Sequence, residues 1–400
     1  MSNVYVLGVG MTPFTKPGNP EIPDYHIMAA NAVKDALKDA GIDYKDVEQA
    51  HTGYVYGESC SGMRALYEVG QTGIPIFNYN SNCSTGSSAL FGARQAVESG
   101  MVDCALVLGF EKMEKGALGA KYMDREIPIM LHMEAIGQYM QANKDLPQGG
   151  GAAPAAMMFG TAGYEYQQKH GIGNETFAKI QVKARKHAEH NQRALFTAPL
   201  TVEEILESPL QIGPLTRLQC CPPTCGAAAA IIVSDAFLKK SGMKADVKIV
   251  GQAMETDSPD SFDGSMMSCV GYGMAERAAK SVYEQAGIGA EDVNVVELHD
   301  CFTANELITY ESLGLTPEGT AEKFIADGDN TYGGKVVTNP SGGLLSKGHP
   351  LGATGLAQCF ELVNQLRGNV DKRQVEGAKI GLQHNVGIGG ACVVTMYQAV

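Results

Sequence analysis

Two distant stretches of the chain follow one script. The first begins at Ala32, AVKDALKDAGIDYKDVEQAHTGYVYG, and the second at Ala278, AAKSVYEQAGIGAEDVNVVELHDCF. Each reads as a helix, then Ala-Gly-Ile, three variable residues, Asp-Val and a strand. Gly41 and Gly287 fall where a helix ends and the next residue turns left-handed, which glycine does without strain. A short match arises by chance, but agreement of pattern and order along both stretches predicts an internal duplication. The chain is therefore expected to fold as two related halves, residues 1–240 and 241–400. In both, amphipathic helices alternate with short Val/Ile/Leu runs. That alternation predicts crossover units, an α/β fold and mainly parallel sheet, with the halves packed together. Strands are expected at VYVLGV, TGIPIFNYN, CALVLGF, AAAAIIVS, VNVVELH and ACVVTMY. At 400 residues the chain can bury the cores this needs.

One segment breaks the script. Between about residues 116 and 215 the text turns rich in Met, Gly, Ala and helix formers, with PQGGGAAPAAMMFG in its middle. It reads as an inserted, partly helical loop domain in the first half. Insertions of this kind often cover a neighbouring site.

A formal net charge of −13 excludes broad contact with nucleic acid or an anionic membrane surface. It leaves room for a small anionic ligand on a local basic patch. No apolar run approaches the ~20 residues of a membrane span. The N-terminus lacks a basic start and cleavage site, and MYQAV at the other end is not a peroxisomal address, so a cytoplasmic protein is expected. The ten cysteines form no framework and read as reduced thiols. Cys220, Cys221 and Cys225 cluster in CCPPTCG without a matching pair downstream, so no metal site is expected.

Four stretches could carry chemistry. In NCSTGSSALFGARQAV, Cys83 stands where a helix packed through small residues begins. A helix N-terminus offers free N–H groups and a positive dipole end, which favour thiolate and predict a lowered thiol pKa. The same N–H groups can hold an oxyanion. In ELHDCFTANE, His299 and Cys301 lie two apart after a strand and point the same way, at the carboxyl end where α/β sheets place ligands. In NPSGGLLSKGHPLGATG, His349 precedes a proline that holds it extended before a helix, as Cys83 stands in the first half. Ser341 and Gly342 belong to the same glycine-rich loop, which lacks the order of a phosphate-binding P-loop. In GLQHNVGIGG, His384 and Asn385 lead through Val386 and Gly387 into a tight turn. Each stretch alone also fits a structural reading: an inert buried thiol, a hydrogen-bonded histidine, a turn.

Together these stretches resemble the thiolase superfamily, and within it the SCP2-thiolases of sterol carrier protein X type. NCSTGS resembles that group's nucleophile motif, and HDCF its fingerprint where common thiolases have NEAF. GGLLSKGHPLGATG and QHNVGIGG match its other blocks, and GFEKMEKGALG, QCCP and GDNTYGGK are similar too. The resemblance spans essentially the whole chain, duplication and insertion included. It implies the thiolase fold and a 3-ketoacyl-CoA thiolase. Cys83 would attack the keto carbon, an acetyl-CoA or propanoyl-CoA enolate would depart, and coenzyme A would collect the acyl group. His349 would activate Cys83 and polarise the thioester oxygen, with His299 holding that oxygen through water. Cys301 would act as acid and base, and backbone N–H groups of Cys83 and of the turn at Val386 and Gly387 would form a second oxyanion hole. His384 and Asn385 are secondary candidates, Met157 and Phe159 would line the acyl or pantetheine path, and Ser341 and Gly342 would touch substrate. The resemblance further implies coenzyme A as substrate with no tightly bound cofactor and no metal, a homodimer or homotetramer, and an accessory protein as a further partner.

Two departures stand out. His384 occupies the place of a catalytic cysteine in common thiolases, a pattern the SCP2 group shares, and Cys225 stands where relatives often have aspartate. The rival readings are a condensing enzyme of the ketoacyl-synthase kind, a retro-aldolase on steroid side-chain CoA esters, and a non-catalytic lipid-transfer protein. No sterol-carrier module is seen after the thiolase blocks, which speaks against the last.

Overall fold

The computed structural model describes residues 2–114 and 122–400. The expected start of the insertion, at about 116, and part of GFEKMEKGALG lie outside the described residues. Ten strands make one sheet: β1 (Val4–Met11), β2 (Gln49–Gly53), β3 (Ile76–Tyr79), β4 (Cys104–Glu111), β5 (Gly226–Ser234), β6 (Val247–Thr256), β7 (Val295–Glu297), β8 (Val337–Thr338), β9 (Ile380–Gly387) and β10 (Ala391–Ala399). From the centre outward the first half runs β1-β5-β4-β2-β3 and the second β6-β10-β9-β7-β8. The two orders are the same, strand for strand. The duplication seen in the sequence is thus a duplication of topology. The halves join where Val4–Val6 of β1 pairs antiparallel with Val247–Ile249 of β6.

The fold is α/β, and its sheet is mixed. Parallel ladders, as expected of crossover units, occupy both wings: β2 with β3 and β4, β7 with β8 and β9. The middle of the sheet is antiparallel. The cause is local. Only Ile388–Gly390 separates β9 from β10, too short for a crossover, so the chain must turn straight back. At the equivalent place in the first half, between β4 and β5, the chain carries its long excursion of helices instead.

Eight helices matter here: α1 (Tyr25–Ala40), α2 (Thr85–Glu98), α3 (Met130–Ala142), α4 (Pro154–His170), α5 (Asn174–Ala188), α6 (Tyr272–Ala286), α7 (Thr303–Ser312) and α8 (Thr354–Arg367). The repeated script appears as α1 and α6, each closed by a left-handed glycine, Gly41 at φ 70° and Gly287 at φ 64°. In β4 the side chains alternate with the period of a strand. Leu106 and Leu108 pack with Met28 and Val33 of α1, while Ala105 and Val107 face inward. That inner face meets Leu90 and Val97 of α2 and Leu356 and Leu362 of α8 in one buried core. A third core holds α6 and the helices α4, α5 and α7. The central pair α2 and α8 decides where chemistry can occur, because Cys83 precedes one and His349 precedes the other.

Candidate active site

Cys83 Sγ and ring nitrogens of His299 and His349 lie within 4.8 Å of one another, all three residues buried. They come from three separate segments. Cys83 sits in the loop between β3 and α2, after Asn82 at φ 52°, so the chain turns sharply before the helix. His299 follows β7, and His349 stands five residues before α8 begins. The two imidazole rings meet edge to face, with centroids 5.0 Å apart and an interplanar angle of 82°.

The hydrogen bonds give each ring a different state. Thr354 Oγ1 donates to the Pro350 carbonyl (3.0 Å) and lies 2.7 Å from His349 Nδ1. With its one proton on Pro350, the hydroxyl accepts from Nδ1–H, so Nε2 keeps a lone pair. That Nε2 has no partner among the described residues. Asn385 is oriented by Ser87, whose hydroxyl donates to its Oδ1 (2.8 Å). The Asn385 amide then donates to the Cys83 carbonyl (3.2 Å) and to His299 Nδ1 (2.9 Å). His299 therefore carries its hydrogen on Nε2. These tautomers are assigned from the network. One ring is a base and the other a donor. The same trio has the mutual spacing of a metal-ligand set. A protonated His299 Nε2 offers a cation no lone pair, so the network favours acid–base work.

Burial corrects the expectation of a lowered thiol pKa. Cys83 is 6 % exposed. Desolvation pushes its thiol up to about 12, although the N–H groups of Ile388 and of Cys83 itself favour the thiolate and the Glu111 charge opposes it. Burial also pushes His349 and His384 down to about 3 and His299 well below its ordinary value. The resting pair is thus neutral thiol and neutral imidazole, and the helix-end argument loses to desolvation. The donor from the glycine turn is Ile388, just beyond the expected Val386 and Gly387. Gly387 serves by closeness: a Cβ there would lie 2.1 Å from the Ser81 carbonyl oxygen.

The other expected residues divide. Cys301 is buried outside that trio, its carbonyl accepting from Cys221 N–H (2.9 Å), and burial with the nearby Cys221 and Cys83 holds its thiol well above the ordinary value. His384 stands behind His299, its Nδ1 accepting from the His299 N–H (3.4 Å). Phe159 and Met158 wall a cavity beside the glycine turn, and Met157 does not. Ser341 is wholly buried and fully engaged: it bonds Glu297 through N–H (3.1 Å) and hydroxyl (2.8 Å) and accepts from Lys347 Nζ (2.8 Å). Gly342 packs on α5, where a Cβ would sit 2.6 Å from that of Ala188. Neither Ser341 nor Gly342 is free to touch substrate. Their loop is a fastening instead, since the buried Glu297–Lys347 pair (3.2 Å) ties the segment of His299 to that of His349. Asp300 does the same by accepting from Leu344 N–H (2.7 Å). Cys225 Sγ contacts the Met113 carbonyl (3.4 Å), and nothing in the structure gives it a chemical role.

Sequence reasoning missed Glu111, at the end of β4. Its carboxylate accepts from Val55 N–H (3.1 Å), Tyr56 N–H (2.8 Å) and Gly352 N–H (2.9 Å), binding the loop of His349 to the first half. The only signal was an acid closing an otherwise apolar strand. Burial outweighs the three donors and raises Glu111 to about 7. A carboxyl that binds its proton more tightly folded than unfolded stabilises most below about pH 4.5, and that contribution is lost as pH rises through 7. Wild type should therefore lose roughly 2 to 3 kcal/mol of stability relative to Glu111→Gln between pH 5 and 8. Urea unfolding of both proteins at the two pH values checks this; a constant difference would refute it.

Comparison with known proteins gives a consistent result. The family model "Thiolase, N-terminal domain" matches residues 4–236, and "Thiolase C-terminal domain-like" matches residues 258–397. Sterol carrier protein 2 of Oryctolagus cuniculus is 53 % identical over 403 aligned residues, covering 100 % of this chain and 72 % of that protein. Among solved structures, an Ltp2–ChsH2(DUF35) aldolase superposes with a TM-score of 0.80 at 23 % identity, covering 100 % of this chain and 98 % of that one. Human mitochondrial 3-ketoacyl-CoA thiolase in complex with CoA superposes at 0.74 with 19 % identity and the same coverage. At those identities the two structures speak for the fold. No described helix is long and apolar enough to cross a membrane.

Proposed function

The chain belongs to the thiolase family of acyltransferases, and on that premise we propose that it cleaves 3-ketoacyl-CoA with coenzyme A through an acyl-Cys83 intermediate. The observation that carries this is the convergence of a thiol, a lone-pair imidazole and an N–H imidazole within 4.8 Å. The Cys83 thiol adds to the keto carbon and its proton passes to His349 Nε2. N–H groups of Ile388 and Cys83 hold the oxyanion. The carbon–carbon bond then breaks, leaving acyl-Cys83 and the enolate of acetyl-CoA or propanoyl-CoA. His299 Nε2–H holds the enolate oxygen, directly or through water, and Cys301 protonates the α-carbon. The Cys301 thiolate takes the proton of incoming coenzyme A, whose sulfur attacks the acyl group. Cys83 leaves as thiolate and recovers its proton from His349. Each donor set ahead of the developing charge is commonly worth ~3 kcal/mol. A thiolate suits both halves because it attacks and leaves well.

We further propose coenzyme A as substrate with no tightly bound cofactor or metal, a cytoplasmic homodimer or homotetramer, and an accessory protein. The DUF35 partner of the aldolase that shares the fold supports the accessory protein. That neighbour also keeps the retro-aldolase reading in view, while the assembled Cys83 site favours acyl transfer. The test is intact mass after mixing with 3-ketoacyl-CoA. An acyl adduct that coenzyme A discharges is the expected result. Cleavage without any adduct would overturn the proposal.

A further inference from the structure

A small, partly open cavity of about 10 Å³, room for one water-sized group, lies beside the glycine turn that contacts Cys83. Its walls are apolar, with Met158, Phe159, Val270 and Met274 among them, and the Phe159 ring stacks 5.2 Å from Phe302, next to Cys301. One wall is different. His132 of α3 reaches the cavity while only 5 % exposed. Its Nε2 lies 3.2 Å from Asp257 Oδ2, and its Nδ1 has no partner among the described residues. Phe262 packs edge-on against the ring at 5.1 Å and fixes its plane. Asp257 in turn backs the glycine turn, where a Cβ on Gly390 would come within 2.1 Å of its Oδ2. Nothing in the proposed chemistry uses this dyad. An unpaired nitrogen buried at an apolar cavity costs stability unless something meets it, and a partner arriving with substrate would supply the missing bond.

Resting on the reading of Cys83 as acyl carrier, we propose that His132 selects a short acyl group bearing a neutral hydroxyl, which donates to the free Nδ1. The acyl carbon on Cys83 is held beside this turn, so the far end of a short chain points toward this cavity, which takes only its terminal group. Small volume limits its length. Asp257 balances any charge on the ring, so the dyad presents hydrogen bonding without net positive charge, which fits a neutral oxygen better than a carboxylate. Met157 takes no part, and Phe159 is wall.

The experiment compares thiolysis of two substrates of equal size, 3-ketohexanoyl-CoA and 5-hydroxy-3-ketopentanoyl-CoA, by wild type and His132→Phe. Wild type is expected to favour the hydroxylated substrate in kcat/KM by about tenfold or more, because a site built to bond an oxygen rejects the analogue lacking it. His132→Phe should reverse that preference. A wild-type preference for the apolar substrate overturns the inference without reference to the variant, and so does a ratio unchanged by His132→Phe. Failure of wild type to cleave either substrate, with no acyl adduct, would sink the thiolase reading itself and this inference with it.

Discussion

Cys83→Ala is expected to lower thiolysis by 10⁴-fold or more, on the scale seen when a covalent nucleophile is removed, and to form no acyl adduct. The size follows from the resting state. Burial holds Cys83 as a thiol near pKa 12 and His349 as a neutral base near 3, so the free enzyme stores little thiolate. In the proposed reaction the proton moves to His349 as sulfur meets the carbonyl, and the described residues hold no second such group of His, Cys, Asp or Glu. Alanine leaves the base and the donors standing with nothing to activate. Binding of coenzyme A by calorimetry, unchanged in the variant, would show that the pocket survives. Turnover surviving within tenfold of wild type would remove the nucleophile from the mechanism and promote the retro-aldolase.

The halves were legible because duplication is written in the order of residues: helix, glycine, strand, twice. So were Cys83 and His349, each placed ahead of a central helix by residues nearby in sequence. What stayed hidden crosses between segments. Asn385 reads from the sequence as a secondary candidate at a turn, but not as the amide that joins Cys83 to His299. Thr354 fixes the tautomer of His349, and Glu111 fastens its loop from the other half. No periodicity records such contacts. Close approach explains much of this. Gly352 has its oxygen 2.7 Å from where a Cβ on Gly86 would lie and 2.3 Å from one on Gly109, so three glycines let the halves touch. The thiol pKa was misjudged for a related reason: a helix end is a local feature, while desolvation is set by everything packed around it. Ser341 looked available in a glycine-rich loop and proved to be the hub of a buried ion pair.

Cys301→Ala is expected to reduce kcat by 10² to 10⁴, the range of a general acid–base group, while acyl-Cys83 still forms from an activated thioester. The structure supports an acid: burial keeps Cys301 protonated at neutral pH, beside Cys83 and two residues from His299. In the proposed step neither His349, which holds the Cys83 proton, nor His384, which faces the backbone of His299, protonates the α-carbon, and of the two buried thiols near Cys83 it is Cys301 that lies two residues from His299. Exchange of the acetyl-CoA methyl protons in deuterated water isolates the same transfer, and it should vanish in Cys301→Ala but persist in Phe159→Leu. A condensing enzyme that relies on Cys83, His299 and His349 alone would keep both its turnover and its adduct when Cys301 is lost. Full activity in Cys301→Ala would therefore move the protein to that class, and loss of exchange together with turnover would hold it among the thiolases.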